Sequence, residues 1–415
     1  MEKLTVLLGA GSTISSGAPS TDCLTEEIRS LTYPGIMENG TPVYFPENDD
    51  DTLPPSSDFR SVIPWIFKTL QSICPKGVSF EEVWHTLELL QPYILGTTDS
   101  SKTSVAPILT AFTKLWEDHD WLKDPLIPMF ARGWIIKTIF ECISHRCQGK
   151  ADPEFKNFFK KLREHFQLRV FTLNYDNFID DVFDDWFDGF QSDGCQYELP
   201  NNTNIQTFSA RDFNQFYPNH PAVLAHLHGS VRFGFNPEGQ GVVAKYASST
   251  EALSSIRHTY TPDKGVNGKI VSAFPLISGM DKEAKLIYNP APFGYYYKAF
   301  MDSLMTTPRL LLIGYGARDE HLNAWLQEFC YLHWPEERRI VFIGKENKNS
   351  IRYSPTIRLM KNFVGPFEWR WNYPFDENDP QCQFLRFGSV AASYTGFPLK
   401  NSQTLDRIIE FLLAL

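Results

Sequence analysis

The sequence predicts an α/β protein, a doubly wound parallel sheet of Rossmann-like pattern that carries a large helical insertion. Three observations lead there. Short apolar runs, "LRVFTLNYD", "AVLAHLHGS", "RLLLIGYG" and "RIVFIG", alternate with amphipathic helical stretches. The first run, Leu4 to Leu8, is β-rich and stops at Gly9, the pattern of a buried strand feeding a tight turn. From about residue 58 to 149 the strand pattern gives way to helical periodicity.

Taken in order, the first turn should lead into a helix at "TDCLTEEIRSL". Residues 33–57, rich in proline, glycine and acidic side chains, mark a border. In "SFEEVWHTLELL", Ser79 and Glu82 form a capping box, and Phe80, Val83, Leu87 and Leu90 share one helical face. Further helices are expected at "TSVAPILTAFTKLW" and "FARGWIIKTIFECI". The α/β pattern returns with helix "PEFKNFFKKLREHF", strand "LRVFTLNYD" and helix "NFIDDVFDDWF". Residues 232–270, rich in Gly, Ser and Thr, read as loops. Helices "YYYKAFMDSLM" and "DEHLNAWLQEFCYL" alternate with the last two strands. In "SQTLDRIIEFLLAL", Leu405, Ile408, Ile409, Leu412 and Leu413 share a face that closes the core or meets a partner. The expected divisions are 1–32 for the first strand, turn and helix, 33–150 for the helical insertion, 151–345 for the rest of the α/β domain, and 346–415 for a C-terminal extension.

The formal charge of −10 argues against a general polyanion-binding surface, so nucleic acid is expected only through a partner. Seven scattered cysteines without a C-x-x-C pair read as reduced thiols, and no signal peptide or membrane span stands out. A cytoplasmic protein without a metal is expected.

Four segments carry candidate chemistry. Gly9, Ala10 and Gly11 sit at a strand-to-helix turn that can turn backbone N–H groups toward a pyrophosphate. Yet Ile14 stands where the dehydrogenase fingerprint needs glycine, and no P-loop lysine follows. In "FTLNYDN", Thr172, Asn174 and Asp176 lie at the carboxyl end of a strand, where open α/β sheets bind ligands. Asn174 can hold a water or a ribose hydroxyl, or Asn and Asp simply make the turn and cap a helix. In "LAHLHGS", alternation puts His226 and His228 on one strand face. A general base, a satisfied core histidine and an H-x-H metal pair are the readings. In "LLLIGYGARDEHLN", Gly314 and Tyr315 form a second turn, with Asp319 as helix cap or ribose contact.

In this order the segments resemble the sirtuin-like superfamily of NAD-consuming Rossmann-type domains. The matching residues are Gly9-Ala10-Gly11 with Ser12, Gly17-Ala18-Pro19, Thr172-Leu173-Asn174-Tyr175-Asp176 and His228-Gly229. The four-cysteine zinc ribbon of sirtuin deacylases is missing and "STD" replaces their D-F-R, which argues against acyl-lysine chemistry. Tyr175, "FEEVWHTLELL", "LHGSV", "SGMDKE" and "IGYGARDEHLNAWL" instead resemble bacterial sirtuin-like effectors that hydrolyse NAD in antiphage defence, above all the subunit that partners a HerA-type ATPase. The resemblance implies NAD⁺ as substrate, its pyrophosphate near Gly9 to Ser12, with Pro19 shaping the loop over the nicotinamide ribose. It makes Asn174 the residue that orients ribose or water, His228 the base, and Asp176 the group that holds the nicotinamide amide or supports the cationic transition state. Because uncontrolled NAD loss would kill the host, a homo-oligomer gated by a partner or a phage signal is expected, with the helical insertion or the C-terminal helix as interface. The alternative is a module that senses NAD or ADP-ribose without cleaving it.

Overall fold

A computed structural model describes residues 1–30, 59–74, 77–94, 126–147, 151–192, 205–236, 242–259, 275–278, 282, 290–345, 359, 385–387, 389–393, 396–399 and 402–414. The chain opens with β1 (Glu2–Leu8) and two short 3₁₀ turns, then α1 (Thr21–Arg29), α2 (Phe59–Ile73), α3 (Phe80–Ile94) and α4 (Leu126–Arg146). Next come α5 (Pro153–His165), β2 (Phe166–Thr172), β3 (Phe190–Ser192), β4 (Gln206–Phe208), α6 (Ala210–Phe216) and β5 (Ala222–His226). The remainder is β6 (Phe233–Phe235), β7 (Val243–Lys245), α7 (Ser249–Thr259), α8 (Tyr295–Thr306), β8 (Arg309–Ile313), α9 (Glu320–Leu332), β9 (Arg339–Ile343), β10 (Leu385–Phe387), β11 (Val390–Ser393) and α10 (Ser402–Leu413).

Six parallel strands, in the order β11-β9-β8-β1-β2-β5, make the main sheet, with β10 antiparallel at one edge. Counted in chain order, the parallel strands read 3-2-1-4-5-6 across the sheet, the doubly wound Rossmann arrangement. The fold class is as the sequence predicts. Alternation along each strand assigns side chains to two faces. Leu7, Phe171, Val223, Leu310 and Leu312 meet Tyr296 and Phe300 of α8 and Leu322, Leu326 and Phe329 of α9. Leu4, Val6, Leu168, Val170 and Leu311 meet Phe155, Phe158, Phe159 and Leu162 of α5 and the buried Leu405, Ile408, Ile409 and Leu412 of α10. The C-terminal helix therefore closes the core through those four residues, and Leu413 turns outward at 41% exposure.

The helical insertion shares its core with the α/β part. Ile66, Phe80, Trp84, Leu87, Ile135 and Phe140 pack together with Leu24 and Ile28 of α1 and with Phe235, Ala244 and Tyr246 around β6 and β7. The Glu82 half of the capping box is present: the Ser79 amide donates to Glu82 Oε2 at 2.6 Å, and the Ser79 hydroxyl donates to the same oxygen at 3.0 Å.

Two expectations fail. "NFIDDVFDDWF" forms turns with only a 3₁₀ segment at Asp180–Val182. Asp176 Oδ1 accepts from the Phe178 amide at 3.2 Å, and Asp180 is drawn inward to Lys245 and His226, so side chains compete successfully with the helical ladder. The stretch read as loops from residue 232 contains β6, β7 and α7, and β3-β4-β7-β6 form a second, antiparallel sheet. Its Gly234 marks close packing, because a Cβ there would stand 2.1 Å from Ser255 Oγ on α7. The border at 33–57 and the helix expected at "TSVAPILTAFTKLW" lie outside the described residues. Among the described residues, no helix is long and apolar enough to cross a membrane.

Candidate active site

Strand register brings the candidate segments to one level. Leu8 pairs with Thr172 and Ile313, and Thr172 pairs with His226, so the carboxyl ends of β1, β2, β5 and β8 are flush. The strand order reverses between β1 and β8, and that switch point is where α/β sheets open a ligand crevice. A cleft of about 440 Å³ lies there. Gly9, Ala10, Gly11 and Pro19 line it from the turns after β1, Gly314, Tyr315 and Asp319 from those after β8, and Asn174, Asp176 and His228 from those after β2 and β5. Ser12 and Thr172, both fully buried, stand outside the lining and act from behind.

The two glycine turns touch backbone to backbone. A Cβ on Gly9 would lie 2.6 Å from the Gly314 carbonyl oxygen, and one on Gly314, whose φ is +62°, would lie 2.2 Å from the Ser12 nitrogen. The glycines are thus required by mutual approach. The amides of Gly9, Gly11, Ser12 and Thr13 donate to the carbonyls of Ile313, Gly314, Gly9 and Ala10. This corrects the simple picture of a turn offering all its N–H groups to a pyrophosphate: two of these amides hold the turn against the end of β8, and two close the turn on itself. The next helix starts at Thr21, as the sequence predicts, with the Ser20 side chain accepting from the Cys23 amide.

Asn174 is fixed by what surrounds it. Its amide nitrogen Nδ2 donates to Ser12 Oγ at 3.0 Å and Thr13 Oγ1 at 3.1 Å. Ser12 spends its own proton on the Gly9 carbonyl at 2.8 Å, and Thr13 spends its proton on Asp176 Oδ2 at 2.8 Å. Both hydroxyls therefore present only lone pairs to Asn174, which sets which end of the amide faces them. Thr172 Oγ1 accepts from the Asn174 backbone amide at 3.1 Å. The carbonyl oxygen Oδ1 is left buried without a hydrogen-bond partner, on a residue that lines the cleft. It is an acceptor waiting for a donor.

Asp176 is 4% exposed, and burial pushes its carboxyl up to about 6 against the pull of the Thr13 hydroxyl and the Phe178 amide. With both oxygens engaged inside the protein, it reaches Asn174 through Thr13. Sequence reading placed the hydroxyl at Ser12 and missed Thr13, although a hydroxyl at the fifth position of the turn was visible.

His226 and His228 part company. β5 ends at His226, so the alternation that would place both on one face stops before His228. His226 turns inward to Asp180, whereas His228, 4% exposed, lines the cleft with Nε2 at 3.9 Å from Asp319 Oδ1. Among the described residues, no three His, Cys, Asp or Glu side chains cluster to hold a metal ion. Asp319 occupies the cap position of α9, but its side chain caps nothing. It takes Lys282 Nζ at 2.7 Å, and Lys282 also meets Glu81 Oε1 of α3 at 3.1 Å. Burial opposes ionisation of Asp319, but His228 and Lys282 beside it hold its carboxyl down at about 2. Burial likewise opposes the Lys282 charge, and the two carboxylates outweigh it. Tyr315 is pinned by Asn323 Oδ1 at 2.8 Å.

A 3-2-1-4-5-6 sheet with a polar cleft at its switch point belongs to the Rossmann-like class of α/β folds, which bind their ligands at that point. Within that class, residues 168–358 match the model of the SIR2-like domain, which supports a sirtuin-like, NAD⁺-using family. The match takes in the Asn174, Asp176, His228, Lys282 and Asp319 segments; the Gly9 turn and the helical layer lie outside it. No curated protein matches the chain.

Proposed function

We propose that the protein is an NAD⁺ glycohydrolase, cleaving NAD⁺ to nicotinamide and ADP-ribose. The observation that carries the reading is the unpartnered, buried Asn174 Oδ1, held toward an acceptor role in the cleft that His228 also lines. In hydrolysis the bond between ribose C1′ and the pyridinium nitrogen breaks, and its electron pair leaves with nicotinamide. The ribose carbon gains oxocarbenium character. Asn174 Oδ1 accepts from the attacking water or a ribose hydroxyl and so fixes the direction of attack. As the new C–O bond forms, the water proton passes to His228, a contribution on the order of 10² to 10⁴ in rate. Asp176 acts from behind by locking Thr13, and through it the Asn174 amide.

We further infer a toxic effector of bacterial antiphage defence, a homo-oligomer governed by a HerA-type ATPase. The order of motifs at the sheet edge and the SIR2-like match support the catalytic part; the defence role and the partner rest on the resemblance of the sequence alone.

The test is incubation of the full chain with NAD⁺, alone and with a HerA-type ATPase, followed by chromatographic separation of products. Equimolar nicotinamide and ADP-ribose, lost in Asn174→Ala and His228→Ala, is the expected result. Saturable binding of NAD⁺ that leaves it intact under every condition would overturn cleavage in favour of a sensing module.

A further inference from the structure

Glu81, Lys282 and Asp319 form a line of alternating charge that ends at His228, and the site as described makes no use of it. The line runs from the second residue of α3, in the helical layer, to Asp319 at the cap position of α9, beside His228. Its members are withdrawn from solvent: the side chains of Lys282, Asp319 and His228 are 9%, 16% and 5% exposed, and that of Glu81 is 29% exposed. Asp319 gives up the usual task of its position, accepting from amides of its own helix, and turns its carboxylate to Lys282 and His228 instead.

We propose that Asp319 is a positioning residue for His228, and that Lys282 and Glu81 set how strongly it acts, making the helical layer part of the site. The proposal rests on the reading of His228 as the base. The three fixed charges sum to −1, which complements the imidazolium formed when His228 takes the water proton. A lone Asp319 would supply the same sign but would be free to swing; the ammonium of Lys282, anchored on Glu81, holds it in place and tempers its field.

Other titratable groups line the same cleft, and His321 also helps to hold the Asp319 carboxyl down. Arg318 comes from the approach to α9, Glu320 and His321 are its first two residues, and Asp176 comes from the turn after β2. His321 is engaged with Tyr297, Nε2 to hydroxyl at 2.9 Å. The phenols of Tyr175, Tyr297 and Tyr315 are pushed up by burial and carry no charge near neutrality.

Two measurements on the full chain test the proposal. One is the midpoint of the acid limb of NAD⁺ cleavage; the other, made without NAD⁺, is the titration midpoint of His228 by histidine side-chain NMR, assigned by loss of its signal in His228→Ala. Removing Lys282 leaves two uncompensated carboxylates, so Lys282→Met should raise both midpoints by about 1 pH unit. Asp319→Asn should lower both by about 1 pH unit. Glu81→Gln should lower them by less, and Lys282→Arg should restore the wild-type value. A role confined to folding predicts no such opposed movement. Midpoints that stay put, or move together, in folded variants that still cleave NAD⁺ would overturn the proposal. Opposed NMR shifts in proteins that never cleave NAD⁺ would uphold the charge relation and remove the cleavage reading. Should Lys282→Met fail to fold, the lowering in Asp319→Asn and the smaller lowering in Glu81→Gln decide the matter, and no lowering in either would overturn the proposal.

Discussion

His226 and His228 stand two residues apart at the end of one strand, and they use the same chemistry to different ends. His226, 1% exposed, belongs to a sealed cluster in which its Nε2 meets Asp180 Oδ2 at 2.8 Å, Lys245 meets Asp180 at 2.9 Å and Asp188 at 2.7 Å, and Arg232 stands 4.0 Å from Asp180 at the rim. Burial opposes the charge on Asp180, yet Lys245 and His226 hold its carboxyl far below the usual range. That cluster ties the turn after β2 to β5, β7 and the small sheet, and its charges are answered from within. Around His228 the matching groups line a cleft, and Asn174 Oδ1 is buried there without a hydrogen-bond partner. The two regions differ in access: in the sealed cluster Asp180 and Asp188 meet their cations inside the protein, although His226 Nδ1 is buried without a hydrogen-bond partner, whereas the polar groups around His228 line a cleft.

Substitution of the two histidines should separate these roles most sharply. His228→Ala is expected to lower NAD⁺ cleavage by about 10² to 10⁴ while leaving the denaturation midpoint close to wild type. His226→Ala should do the reverse, retaining cleavage in folded protein and losing stability. Product assays paired with chemical denaturation read both. Equal losses of activity in the two variants would erase the distinction. Lys245→Met comes next, since it leaves Asp180 and Asp188 buried without their cation. A loss of about 3–5 kcal/mol in unfolding free energy is expected, the typical cost of orphaning a buried charge. A denaturation curve unchanged from wild type would show that the cluster does not hold the fold.

Sequence made the sealed region and the cleft unequally visible. Apolar runs ending at Gly9, Gly229 and Gly314 announced the strands, because a buried parallel strand must be apolar and a close turn must lack a Cβ. Asn174 and His228 were legible for a related reason: each follows directly on the strand that presents it. Lys282 was not, because it comes from a stretch without periodicity and acquires meaning only beside Asp319, 37 residues away. Glu81 was overshadowed by its neighbour Glu82, whose capping role is local and hence readable. The helix expected after Asp176 failed for the same cause that hid the sealed cluster. Local pattern does not reveal that Asp180 will be pulled inward by a lysine 65 residues on.

Thr13 offers a smaller and more specific way to work on the open side. Thr13→Val keeps the shape but removes both the acceptor for Asn174 Nδ2 and the donor to Asp176. Each loss leaves a buried polar atom short of one partner, a cost of about 1–3 kcal/mol. If half or more of that falls on the positioning of Asn174, cleavage should drop by about 10-fold to 100-fold, seen in kcat more than in KM. Thr13→Ser restores the hydroxyl and should restore the rate. A Val variant as active as the Ser variant would mean that Asn174 is oriented by Ser12 alone.

The smallest expected effect concerns the acid beneath that relay. The carboxyl of Asp176 is raised to about 6 by burial, above its value in the unfolded chain, so folding favours the protonated form. Its contribution to stability is complete below the unfolded value near 4 and is lost as pH rises through about 6. Between pH 5 and pH 7.5 this one group should take away on the order of 1 kcal/mol of unfolding free energy. In Asp176→Asn, which cannot ionise, that part of the slope should disappear from urea titrations across the same window. The sealed cluster predicts the contrary behaviour for Asp180: its depressed carboxyl adds stability above the unfolded value, and that stability is lost only as pH falls well below it. Opposite pH slopes from two aspartates four positions apart would follow from their neighbours: Asp180 is buried against Lys245 and His226, whereas Asp176 is buried with the neutral Thr13 hydroxyl and Phe178 amide as its hydrogen-bond donors.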